Sequence, residues 1–180
     1  LERLNPLQYA PAPEAPLHFT ISDLVSGDTY KKRVDGPQEQ SFLIALASCF
    51  DELNLRGAIK MNVLGVSLFL GGFVIALVGA YDEQSYKRLM LFRNAIYEAE
   101  RLKNFGVLRK FKFTGHITLA YIESELSAKD RTRLAKTLVD VKERFFDNPL
   151  PLNVVRADVR KFDDMSRFYR CEGWPVFLFV

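Results

Sequence analysis

Histidine is nearly absent from this chain: His18 and His116 are the only two in 180 residues. Cysteine is as scarce, and Cys49 and Cys171 lie far apart without metal-ligand spacing. A disulfide-dense secreted scaffold is therefore excluded, and the two thiols suit a reduced, cytoplasmic setting or at most one disulfide. Neither sign of charge dominates. The net charge of +3 is too mild to argue for nucleic acid alone, although it would not repel an anionic small ligand. No Gly-x-Ser-x-Gly elbow is present, which removes the usual serine-hydrolase reading. The chain starts at Leu1 without methionine, and its first sixteen residues carry Pro6, Pro11, Pro13 and Pro16. Residues 1–16 are expected to be an irregular lead-in or linker, as in a domain of a longer chain, and they show no signal-peptide pattern.

Long hydrophobic runs are also rare, with one exception. Met61 to Tyr81 is uncharged and long enough to span a bilayer. Asn62, Gly65 and Ser67 interrupt it, however, and Gly71-Gly72 sits between two β-rich stretches, which is a hairpin signal. Two buried strands are expected, and no membrane association. With 48% hydrophobic and 26% charged residues, the remainder reads as one well-cored domain or two small lobes sharing a cleft.

Periodicity and capping residues give the order of elements. A strand over Leu17 to Leu24 is followed by a turn at Ser26-Gly27-Asp28 and a basic stretch, Tyr30 to Arg33, in a loop or edge strand. Pro37 opens a helix to about Arg56, closed by Gly57. After the hairpin, Asp82 caps a second helix to about Lys103 that buries Tyr86, Leu89, Met90, Ile96 and Tyr97. The basic run Arg109-Lys110-Phe111-Lys112 leads into a strand from Phe113 to Ile122. Ser127 with Asp130 forms a capping box for a third helix through Leu134, Leu138, Val141 and Phe145, stopped at Asn148-Pro149. Strands over Leu152 to Phe162 and Phe168 to Phe179 close the chain.

Both histidines stand in strand-like runs and both are followed by x-Thr: Leu17-His18-Phe19-Thr20-Ile21 and Gly115-His116-Ile117-Thr118-Leu119. With threonine at about one residue in thirty, two such hits arise by chance about one time in a thousand. Positions i and i+2 of a strand share a face, so each histidine points with its threonine; Ser22 follows on the first. A single His-x-Thr strand is ordinary core or surface. Two that use every histidine in the chain are not. The pattern of His-x-Thr strand, helix, strand, strand occurs over 17–80 and again over 114–180. A duplicated lobe with a pseudo-twofold would set the two motifs opposite each other across a groove.

Two imidazoles form a metal-free acid–base couple near neutral pH, because the unperturbed pKa is about 6.5. One can take a proton from a nucleophile while the other gives one to a leaving oxygen, and the threonine hydroxyls can hold phosphoryl oxygens. Zinc would require a third ligand, and neither histidine has one at ligand spacing.

The two motifs resemble the paired H-x-[S/T] motifs of the 2H phosphoesterase superfamily, and the order of elements agrees over about 17–180. The resemblance implies an α+β fold of two pseudo-symmetric lobes of antiparallel sheet with outer helices and a catalytic groove between them, in a single domain over 17–180. It implies a phosphodiesterase without metal or other cofactor, acting on a 2′,3′-cyclic phosphate or 2′-5′ phosphodiester of a nucleotide or RNA end. His18 and His116 would be catalytic, and Thr20 and Thr118 would hold the phosphate. Tyr169 and Arg167, on the last hairpin, would be candidate substrate contacts. Ligase-like members of the family often carry arginine where Tyr121 stands here; strict alternation turns Tyr121 away from His116. The alternative is a non-catalytic domain of a larger protein that binds an RNA end or nucleotide.

Overall fold

An antiparallel sheet organises this mixed α+β chain, and its centre is the hairpin expected from the uncharged run. The fold is a computed structural model that describes residues 9–11, 17–69, 72–122, 125–162 and 168–179. Strands β1 (Tyr9–Pro11), β2 (Ile59–Phe69), β3 (Phe73–Ala80), β4 (His116–Ile122) and β5 (Leu150–Val154) lie in the order β1-β4-β3-β2-β5. β2 and β3 pair from Met61 opposite Ala80 to Phe69 opposite Phe73. Leu70 and Gly71, at the expected turn, lie outside the described residues. Among the described residues no helix is long and apolar enough to cross a membrane.

The helices follow their caps. α2 (Gln38–Asp51) starts after Pro37 and buries Phe42, Leu43, Leu46, Cys49 and Phe50. Asp82 caps α3 (Glu83–Glu98) by accepting a hydrogen bond from the Ser85 amide at 2.7 Å. The chain turns at Ala99 before the short α4 (Glu100–Lys103), so the expected single helix to Lys103 is two. Its buried stripe also differs from the expectation. Phe92 and Arg93 are buried, Tyr86 is exposed and Met90 only half-buried. α5 (Ala128–Phe145) is capped by Ser127 onto the Asp130 amide; Leu134 is its one buried residue and Phe145 is exposed.

Three local expectations are corrected. Tyr30 to Arg33 is helical, within α1 (Gly27–Arg33), because Ser26 and Asp28 begin a helix whose last-turn cations suit its C-terminal dipole. Residues 21–26 form no regular strand; the first motif touches the sheet through one bridge, Phe19 opposite Ile117. The lead-in is irregular only in part, since Tyr9–Pro11 pairs with β4. The C-terminal region is a set of short strands, β6 (Arg156–Asp158), β7 (Lys161–Phe162), β8 (Phe168–Tyr169) and β9 (Val176–Leu178), paired β6 with β9 and β7 with β8.

The main core gathers α2, α3 and α4 residues with Ile59, Met61 and Val78 of the sheet and Phe177 and Phe179 of the C-terminal end. Leu46, Ile59 and Leu102 are fully buried, each worth about 1.5–3 kcal/mol of transfer free energy. A smaller cluster joins Val74 and Ala120 to Leu134 of α5. Both clusters cover the same side of β3 and β4. Cys49 is buried and Cys171 exposed, and both thiols are free.

Candidate active site

The bridge between Phe19 and Ile117 fixes how the two motifs meet. Its register, continued by one residue in each direction, puts His18 across from Thr118 and Thr20 across from His116. Phe19 and Ile117 pack against the main core. Their neighbours therefore project from the opposite face, and His18, Thr20, His116 and Thr118, all half-buried, form one side-by-side patch there. The expected face-sharing of each pair thus extends to all four residues.

β4 does not alternate strictly. Val74 pairs with Ala120 and Ile75 with Thr118, so one residue of β4 is extra, a β-bulge at Leu119. Leu119 and Ala120 both join the cluster under α5, and the phase of the strand shifts by one. Tyr121 consequently comes to the same side as Thr118, and their side chains are hydrogen-bonded. The expectation that Tyr121 faces away from the histidines is corrected by this bulge.

Aromatic rings border the patch. Phe69 stacks on the His116 ring at 5.3 Å and 27°, and Phe73, opposite Phe69 in the hairpin, meets Tyr121 edge-on at 5.5 Å. Phe168 lies 4.1 Å from the His18 ring. The β7–β8 hairpin that carries Phe168 is held by Lys161, which pairs with Glu39 at 3.1 Å beside the Tyr30 ring. Tyr169 is adjacent to Phe168 on this hairpin and lies 6.4 Å from Trp174 between ring centroids; Phe168 is the residue placed on His18. Arg167 lies outside the described residues. Arg170 donates to the Trp174 carbonyl at 2.6 Å.

Burial lowers the His18 pKa below its ordinary value, with further contributions from the nearby charges of Arg160 and His116. Arg160 is itself oriented by Asp158 at 3.1 Å, and Arg156 holds the same carboxylate at 2.7 and 2.8 Å. A neutral His18 is thereby favoured near pH 7. On His116, Nδ1 lies 2.8 Å from the Thr114 carbonyl, an acceptor. Nδ1 is therefore the protonated nitrogen, and Nε2 is left to face a substrate.

The strands are fixed from behind by α3. The Arg93 guanidinium donates to the Ile21 carbonyl, one residue beyond Thr20, and lies 4.2 Å over the Phe113 ring, three residues before His116. Tyr97 donates to the Asp23 carbonyl at 3.1 Å. Gly115 admits a close crossing: a Cβ there would sit 2.3 Å from the Val78 carbonyl oxygen. The Ser22 hydroxyl is buried without a hydrogen-bond partner among the described residues. Among the described residues no group of three or more His, Cys, Asp or Glu is arranged to hold a metal ion.

Sequence reasoning missed Arg160, the ring of Phe69 and the side of the strand to which Tyr121 turns. A bulge leaves no mark on residue type, and Arg160 is brought to His18 only by long-range folding. Comparison of the chain with models of known protein families and with curated proteins finds no match.

Proposed function

We propose that the chain is a metal-independent phosphodiesterase acting on a 2′,3′-cyclic phosphate or a 2′-5′ phosphodiester of a nucleotide or RNA end. The observation that carries this reading is the antiparallel juxtaposition of the two His-x-Thr pairs on one sheet face. An in-line displacement at phosphorus needs a base on the attacking side, an acid on the leaving side and donors for the equatorial oxygens. His18, favoured neutral by burial and by Arg160, takes the proton of the attacking hydroxyl or water. His116, in its imidazolium form with Nδ1–H held on the Thr114 carbonyl, delivers the Nε2 proton to the leaving oxygen and is left as the neutral Nδ1–H tautomer. Thr20 and Thr118 donate to the phosphoryl oxygens, and Arg160 adds a cation at the edge of the site. Two pseudo-symmetric lobes with the groove between them belong to the same reading.

The test is turnover on a panel of 2′,3′-cyclic nucleotides and 2′-5′-linked dinucleotides. His18→Ala and His116→Ala should each retain less than about a tenth of the activity, because general acid–base catalysis contributes ~10²–10⁴-fold. Activity should survive EDTA. Loss in chelator with recovery on added zinc or manganese would recast the histidines as ligands, and binding without turnover across about pH 5 to 8 would favour the nucleotide-binding domain.

A further inference from the structure

A second cationic feature lies outside the histidine patch, where α3 meets the segment entering β4. A pocket of about 480 Å³ is lined by Arg93, Arg109, Lys110, Phe111 and Lys112, with Tyr86 at its side, and by no Asp or Glu among the described residues. None of these four cations forms an ion pair among the described residues. Arg109 donates instead to the Asn94 amide oxygen at 2.5 Å and lies over the Tyr97 ring. Arg93 is 5% exposed and its Nε has no hydrogen-bond partner among the described residues. Its pKa is lowered chiefly by burial, and Arg109 adds to the lowering. An anion above the pair would relieve that repulsion. Phe111, flanked by the two lysines, is 77% exposed, the highest value among the large hydrophobics of the described residues. A ring so placed has no packing role in the core.

We propose that this pocket binds the sugar–phosphate chain of a single-stranded oligonucleotide, with a base stacked on Phe111. Unpaired cations that track a backbone, interleaved with an exposed aromatic that accepts any base, are what a single strand requires. The position also fits. Lys112 is four residues before His116, so at 3.3–3.6 Å per residue the two are at most about 14 Å apart along the chain. Helix α3 lies behind the sheet and the histidines in front, so a strand of a few nucleotides would pass round the N-terminal end of β4 to reach them. This inference rests on the phosphodiesterase reading for its purpose: the pocket would hold the strand whose end is processed at the histidines and would favour oligomers over mononucleotides.

The probe is a fluorescein-labelled decauridylate with a 3′-hydroxyl end, followed by anisotropy across a series of KCl concentrations. That end offers no cyclic phosphate, so binding is read without turnover. Failure here leaves the phosphodiesterase reading standing, and failure of turnover leaves this one standing. Lys110→Ala/Lys112→Ala should reduce the slope of log affinity against log salt by about 1.4, at ~0.7 per phosphate contact on a single strand. Phe111→Ala should weaken binding about tenfold at fixed salt. Lys129→Ala/Lys136→Ala, the same charge change on exposed α5 positions, should leave the slope as it is. An unchanged slope in the Lys110/Lys112 variant, or an equal fall in the α5 variant, would overturn the proposal. So would displacement of the probe by poly-glutamate at equal charge concentration, which would assign the pocket to an acidic protein segment.

Discussion

At the scale of single residues, the environment of His18 makes the proposed site testable through its pH dependence. Burial, Arg160 and His116 all lower its pKa, so the acid limb of kcat/KM, which reports the free protein, should lie below the reference value of about 6.5. Arg160→Ala removes one of the three causes and leaves Asp158 bound to Arg156. Its acid limb should therefore move to higher pH, though not back to the reference, because burial is the largest cause. A limb that stays put or moves down would separate Arg160 from His18. The same shift has a stability consequence. The unfolded chain binds more protons at His18 than the folded one between the lowered value and about 6.5, so this residue's contribution falls as pH drops through that window. The histidines and threonines were legible in the sequence because residue type and i, i+2 spacing suffice to find them. Arg160 was not, since it shares no local pattern with residues 142 positions away.

At the scale of elements, β4 carries the burden. Gly115→Ala would drive a Cβ to 2.3 Å from the Val78 oxygen, and β3 cannot retreat easily because the Val78 amide donates to Gly115 at 2.8 Å. A loss of about 1–3 kcal/mol is expected, read as a lower urea midpoint at unchanged m. A loss below about 0.5 kcal/mol, the ordinary surface range, would mean that the crossing yields. Tyr121→Phe tests the bulge. Removing one hydrogen bond of ~0.5–1.5 kcal/mol from Thr118 should lower kcat/KM by a few-fold to about tenfold with little change in the melting temperature, whereas an unchanged kcat/KM would make the phenol a bystander. Caps and apolar periodicity made α2, α3 and α5 legible. Tyr30 to Arg33 misled because a basic run has no apolar stripe to betray a helix. Tyr121 misled because alternation was carried past a bulge, which depends on what β3 offers opposite.

At the scale of the whole molecule, the first motif is held to the second by α3 as well as by the sheet, since among the described residues a single bridge, Phe19 to Ile117, joins them. Arg93 touches the backbone after Thr20 and the ring before His116. Arg93→Met leaves the Ile21 carbonyl without its donor, which should destabilise by about 1–3 kcal/mol, less whatever is regained by removing a desolvated charge. A variant as stable as the parent by thermal melting, and as active, would show that the bridge alone suffices. None of this was legible in the sequence. It showed an α+β chain with a central hairpin, but the order β1-β4-β3-β2-β5 depends on pairings between distant segments.

The antiparallel register of the motifs has a last consequence, for the direction in which a reaction would run. With His18 opposite Thr118 and Thr20 opposite His116, the four groups map onto one another under a half-turn. A phosphodiester could lie across such a patch in either of two orientations, and each would find an imidazole at both of its ends. Regiochemistry therefore cannot reside in the motifs. It must come from what breaks the half-turn: Phe168 and Arg160 near one histidine, Phe69 and the Thr114 carbonyl beside the other, and Tyr121 beside Thr118. Exchanging those neighbours, with both motifs left intact, is the change that would reverse which oxygen leaves.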